Sequence, residues 1–155
     1  MAGGPIVTSN QPLLHASFFQ EPAGRFALGQ VLLSATAEAD FEGIRARDGD
    51  VGFWHCDLTQ NDALSWSEKV YEIFGLPVGS EVPRKDAVAK YLEHSRSVLE
   101  RLRNYAINRK CGFILDAAIS PDGTTRWIRI LAAPIVEEGR VVGLCGLKRV
   151  LKAER

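Results

Sequence analysis

The chain has 155 residues, 46% of them hydrophobic and 25% charged, and its 19 basic residues balance 19 acidic ones. That is enough chain and apolar content to bury the core of one domain, and the zero net charge gives no global pull toward nucleic acid or an anionic membrane. The longest apolar runs, such as GFIL and ILAAPIV, are far too short to cross a bilayer.

Residues 1–23 are rich in Gly, Pro, Ser, Asn and Gln and read as a flexible arm, with the cluster LLHASFF able to dock on the body. No basic stretch precedes the first apolar residues, so the start does not read as a secretory signal. Residues 24–47 read as an amphipathic helix. Leu28, Val31, Leu32 and Ala35 share one face, Phe41 and Ile44 extend it, and RDGD ends it.

From Val51 the apolar period changes to two. Val51–Leu58 and Leu64–Trp66 read as strands joined by a TQND turn. Ser67 caps a helix through EKVYEIF that closes at Gly75. A loop and helix follow in VGSEVPRKDAVAKYLEHS. RSVLERLRNYAINRK then makes a longer helix, with Arg101 and Arg103 facing out. Cys111–Ser120, Thr125–Val136 and Val141–Val150 read as three strands, with turns at PDG and EEGR. The order implies an α+β fold. One five-stranded antiparallel sheet carries helices on one face, with an N-terminal amphipathic helix besides.

Several residues look chemical in isolation. His55 and Cys56 are adjacent, but neighbours on a strand point to opposite faces, so they form neither a dyad nor a shared metal site. Cysteines at 56, 111 and 145 are odd in number and lack Cys-x-x-Cys spacing, which points to buried thiols in a reduced, cytoplasmic chain. There is no phosphate loop and no Gly-x-Ser-x-Gly, so no enzyme is expected, and there are no catalytic or metal-binding residues to name. Residues 84–110 hold eight Lys/Arg against three Asp/Glu, yet no aromatics interleave as a stacking platform would need. A solvated basic face is the reading, and neither nucleic acid nor membrane insertion is expected.

In order along residues 48–152, these landmarks resemble a PAS domain. Gly52, Trp54, Asp57 and Leu58 match its first strand, Trp66-Ser67 and IFG its next helix, and His94 the junction before the long helix. Asp122-Gly123 with Arg126-Trp127 match its hairpin, and Gly146 and Lys148 its last strand. Two positions depart from the pattern. Cys56 stands where the family often has a second Trp, and Val150-Leu151-Lys152 stand where Asp-Ile-Thr usually leads to an effector. The second departure suggests a stand-alone protein.

The resemblance implies a cavity between sheet and helices, with Trp54, Cys56, Phe74, Tyr91, Leu102, Phe113, Leu115 and Ile130 as candidate lining. Either the neighbours of Cys56 repack or a small ligand fills the room left by a Trp. Heme-binding members take an axial His from the long helix or nearby, which here would be His94. The flavin-type Cys motif is absent, so no cofactor is expected. Both faces of the late strands are partly apolar, so something must cover the outer one. The helix at 24–47 is the candidate, within one subunit or at the seam of a homodimer, with Leu28, Val31, Leu32, Trp127, Leu131, Val142 and Leu144 as contacts. The family implies a signalling protein working by protein–protein contact, on a histidine kinase or another member of a bacterial two-component pathway. A sensor of a small ligand or heme is the alternative.

Overall fold

The computed structural model describes residues 7–12, 26–34 and 49–151, with backbone alone for 7–12, 33 and 34. In chain order its elements are β1 (Val7–Pro12), β2 (Gln30–Ser34), β3 (Gly52–Asp57), β4 (Ala63–Trp66), α1 (Glu68–Phe74), α2 (Arg84–Ala89), α3 (Glu93–Arg109), β5 (Gly112–Ile119), β6 (Arg126–Glu137) and β7 (Arg140–Val150). The strands form one sheet in the order β1-β2-β5-β6-β7-β3-β4. It is antiparallel except for the β1–β2 pair. Strands β3 to β7 are the five expected from apolar alternation, and the helices pack on one face.

The N-terminal extension differs from the expectation. Phe26–Gly29 form a turn closed by the Gly29 amide on the Phe26 carbonyl (3.0 Å). Residues 30–34 are a strand pairing Gln30, Val31 and Leu32 with Ile114, Phe113 and Gly112 of β5, not a helix. A short apolar run such as VLL fits a helix stripe or a strand buried on both sides equally well. The unpaired edge of β5 decides between them, because its backbone groups need partners. Residues 35–47, and with them Ala35, Phe41 and Ile44, lie outside the described residues, as does most of the arm at 1–23.

Side chains sort by strand parity, with one break at a bulge in β7. On the helix side lie Trp54, Cys56, Phe113, Leu115, Ile128, Ile130 and Leu144, packed against Val70, Ile73, Phe74, Val98 and Leu102. On the outer side Leu32, Val51, Ile114, Leu131, Ala133, Cys145 and Leu147 form a second cluster, with Phe26 and Phe53 against it. All seven are buried within the single chain. Two glycines allow the close approaches. A Cβ on Gly52 would press on Val70 of α1, and one on Gly146 would meet the Leu131 carbonyl.

Beyond its pairing with β2, strand β5 is tied at its far end to the segment leading into α3. The Leu92 amide donates to the Ala118 carbonyl (2.9 Å) and the Ser120 amide to the Lys90 carbonyl (2.9 Å). The buried Ser95 hydroxyl accepts from the Ala118 amide at 2.8 Å. Ser95→Ala therefore leaves a buried N–H without its acceptor. We expect a loss of about 1–3 kcal/mol in chemical denaturation. A change within about 0.3 kcal/mol would show that the bond contributes little.

Candidate functional site

Between sheet and helices lies a cavity of about 60 Å³, walled by Trp54, Cys56, Leu64, Trp66, Arg84, Ala87, Val88, Tyr91, Leu99, Arg103, Phe113, Ile130, Leu144 and Lys148. Five of the eight expected lining residues are there: Trp54, Cys56, Tyr91, Phe113 and Ile130. Phe74, Leu102 and Leu115 lie behind the wall, each at most 1% exposed in the same core.

Strand pairing places the central group. Trp54 of β3 sits opposite Gly146 of β7, and parity then points Leu144, Gly146 and Lys148 toward the helices. With no side chain at 146, the Lys148 stem runs inward beside the indole. Its Nζ lies 4.8 Å from the ring centre of Phe74, 5.3 Å from that of Trp54, and 5.9 Å from those of Trp66 and Tyr91. Trp66 stacks on Phe74 at 5.0 Å, and Phe74 meets Tyr91 edge-on at 5.8 Å. Ring faces attract a cation, but they are a poor substitute for water. Burial therefore pulls the Lys148 ammonium down to about 7, with the field of Arg84 adding to the effect and Cys56 opposing it.

The rest of the wall is also cationic. Arg84 of α2 binds both oxygens of Glu100 on α3 (2.7 and 2.8 Å). Arg103 of α3 binds Asp62 in the β3–β4 turn at 3.0 Å. Both ion pairs are partly exposed, so they mark the cavity's solvent side. The carboxylates belong to the pairs and not to the wall. Burial raises the Cys56 thiol above its ordinary range, against a smaller pull from Arg103. The Trp54 indole Nε1 is buried and meets no acceptor among the described residues.

Other expected positions fall elsewhere. His55 and Cys56 do point to opposite faces. Cys56 is in the inner core, while half-buried His55 lines an outer groove with Asp57 and Glu137. His94 is exposed and does not stand in the cavity wall. Of the expected dimer contacts, Val31, Leu32, Leu131 and Leu144 are 1–4% exposed within one chain and are not free to meet a second copy. Val31 and Leu144 even belong to the helix-side core. Leu144 and Val142 part company because the β6–β7 pairing slips from Ile135–Gly143 to Val136–Val141. This bulge puts Val142 in the groove with His55. Leu28 (36%) and half-buried Trp127 and Val142 retain exposure. Two cationic wall residues, Arg84 and Arg103, belong to the stretch 84–110 read as a solvated basic face, and the third, Lys148, is placed by the sequence only in the last strand. For Lys148 the missed signal was its parity with Leu144.

The family model of the PAS fold matches residues 49–150, which spans strands β3 to β7 and all three helices. The chain belongs to the PAS family. Solved structures similar to this PAS chain include the N-terminal domain of a diguanylate cyclase with PAS/PAC sensor from Marinobacter aquaeolei, at 16% identity, TM-score 0.58, covering 64% of this chain and 94% of that one. Another is a domain of a putative light and redox sensing histidine kinase from Haloarcula marismortui, at 14% identity and TM-score 0.58, covering 72% and 99%. A sensory box histidine kinase/response regulator from Burkholderia thailandensis aligns at 13% identity and TM-score 0.60, covering 72% and 83%. Comparison with curated proteins gives no match. Among the described residues no helix is long and apolar enough to cross a membrane, and no His/Cys/Asp/Glu group could hold a metal ion.

Proposed function

We propose that this PAS chain is a cytoplasmic signalling module that senses a small ligand in its cavity and reports it by contact with another protein. The partner would be a histidine kinase or a regulator in a bacterial two-component pathway. The reading contains no catalytic step. The observation that carries it is the cavity beneath α2 and α3, walled in part by the buried Lys148 and by Trp54, whose indole N–H meets no acceptor among the described residues. A fold that needed only an interaction surface would gain nothing from burying an amine that has no carboxylate beside it among the described residues. The similar kinase and cyclase domains support the kind of partner by analogy alone.

Two ion pairs join the cavity to the surface, Arg84–Glu100 between the helices and Arg103–Asp62 to the β3–β4 turn. An occupant touching either arginine shifts the outward position of α2 or the turn, which is the contact a partner would read. A homodimer is part of this proposal, but its seam would use surface other than the buried outer sheet face.

The test is a kinase assay. Histidine kinases from the source organism are purified, and autophosphorylation is followed with and without this protein, before and after removal of any small molecule detected by native mass spectrometry. We expect at least one kinase to change rate, and the change to depend on the bound molecule. Rates unaffected across the kinases would sink the signalling role. An effect that ignores ligand state would leave a plain adaptor.

A further inference from the structure

The reading above leaves the ligand's chemistry open, and the cavity wall narrows it. We propose that the site takes a small carboxylate, with its oxygens held between the Lys148 ammonium and the Trp54 indole N–H. The inference rests on the cavity being a sensing site, and three independent features of the wall carry it.

Trp54 Nε1 is the one buried side-chain nitrogen or oxygen among the described residues that lacks a hydrogen-bond partner. Native folds seldom leave such a donor unmet. Lys148 is 8% exposed, and its recorded contacts are ring faces only. A buried ammonium normally has a carboxylate or carbonyl against it. Nζ stands 5.3 Å from the centre of the Trp54 ring, so the two donors belong to neighbouring side chains of one wall, and the proposed carboxylate spans them. Its two oxygens then satisfy both deficits at once.

The sign of the remaining wall agrees. Its other ionic residues are Arg84 and Arg103, and it contains no Asp or Glu. Arg84 and Arg103 are already paired with Glu100 and Asp62, so the ligand's charge is set against Lys148, which has no carboxylate beside it among the described residues. The rest of the wall is hydrocarbon and ring, including Ala87, Phe113, Ile130 and Leu144, which suits a short apolar tail. Size sets the length. A cavity of about 60 Å³ is on the scale of a few water positions, which suits a two- or three-carbon acid.

The experiment uses the full chain, dialysed free of small acids. Acetate, propionate, pyruvate and butyrate are titrated by calorimetry and tryptophan fluorescence, with acetamide, propionamide and propylammonium as size-matched controls. We expect a two- or three-carbon acid to saturate below about 10 mM and raise Tm, with its amide at least about tenfold weaker. Lys148→Met should weaken the acid at least about tenfold while circular dichroism shows an intact fold. Trp54→Phe, which keeps a ring but removes the N–H, should weaken it as well. No saturation by any acid, equal binding of acid and amide, or unchanged affinity in a folded Lys148→Met protein would each overturn the proposal. Should both variants unfold, the acid-to-amide ratio in the unmodified chain still decides. These binding measurements need no partner, and a neutral or cationic molecule found by native mass spectrometry would overturn the carboxylate while leaving the sensing role intact.

Discussion

Replacing Arg129 with Met will lower the unfolding free energy by about 3–5 kcal/mol. Arg129 and Asp116 are both fully buried, in the middle of β6 and β5, and are direct register partners. The guanidinium grips the carboxylate with two bonds, Nε to Oδ1 at 2.7 Å and Nη2 to Oδ2 at 2.9 Å. Cutting one partner out leaves the other charge in the core without compensation, and that uncompensated charge is the main cost. The pair also ties down the N-terminal segment. The Phe26 amide donates to Asp116 Oδ2 (2.9 Å), its carbonyl accepts from the Asp116 amide (2.9 Å), and its ring lies 4.9 Å from the Arg129 guanidinium carbon. Two outcomes should therefore appear together in Arg129→Met: a lower urea midpoint, and faster amide exchange over residues 26–32. The double variant Asp116→Leu with Arg129→Met should lose less than the two single changes added together, because neither charge is left alone. A loss below about 1 kcal/mol in the single variant would mean that water reaches the pair, and the clasp would not be what holds β2 to the sheet.

This pair was within reach of the sequence. The hairpin turn is centred between Asp122 and Gly123, and counting outward in antiparallel register sets 116 opposite 129. An acid and a base embedded in FILDAAI and RWIRILAA then face each other on the outer side. The five family strands were legible for a similar reason, since period-two alternation and turn residues act locally. What escaped was settled by tertiary context. VLL at 31–33 carries no period of its own, and it became β2 because β5 offered an unpaired edge. Val142 left the face of Leu144 because of one extra residue between paired positions, which no alternation count reveals. Lys148 shows in the sequence only as a residue of the last strand, because a charge normally means solvent. Its parity with Leu144, and the register of β7 against β3 that sets Gly146 opposite Trp54, turn its stem inward.

That inward lysine makes the second large prediction, a stability that rises with pH above neutrality. Folding brings the ammonium from its ordinary 10.5 down to about 7. Between those values the unfolded chain binds a proton that the folded one does not, and stability climbs with pH wherever that holds. The slope is at most about 1.4 kcal/mol per pH unit for one proton, and below pH 7 the contribution is flat. The groups facing Lys148 limit the upper end. Cys56 from β3 and Tyr91 ahead of α3 are acids raised by burial. They oppose the rise above about pH 9, where their unfolded counterparts begin to lose protons. Arg84 from α2 and Arg103 from α3 are cations throughout, while β5 and β6 present only Phe113 and Ile130. Urea midpoints should thus increase from pH 7 to about pH 9 and then level off. Lys148→Met, similar in length and without charge, should remove the rise and exceed the unmodified protein by about 2–4 kcal/mol at pH 7. An unchanged slope in the folded variant would place the titrating group elsewhere. A bound carboxylate favours the protonated amine and raises its pKa, so saturating propionate should flatten the slope of the unmodified protein while leaving Lys148→Met unaffected.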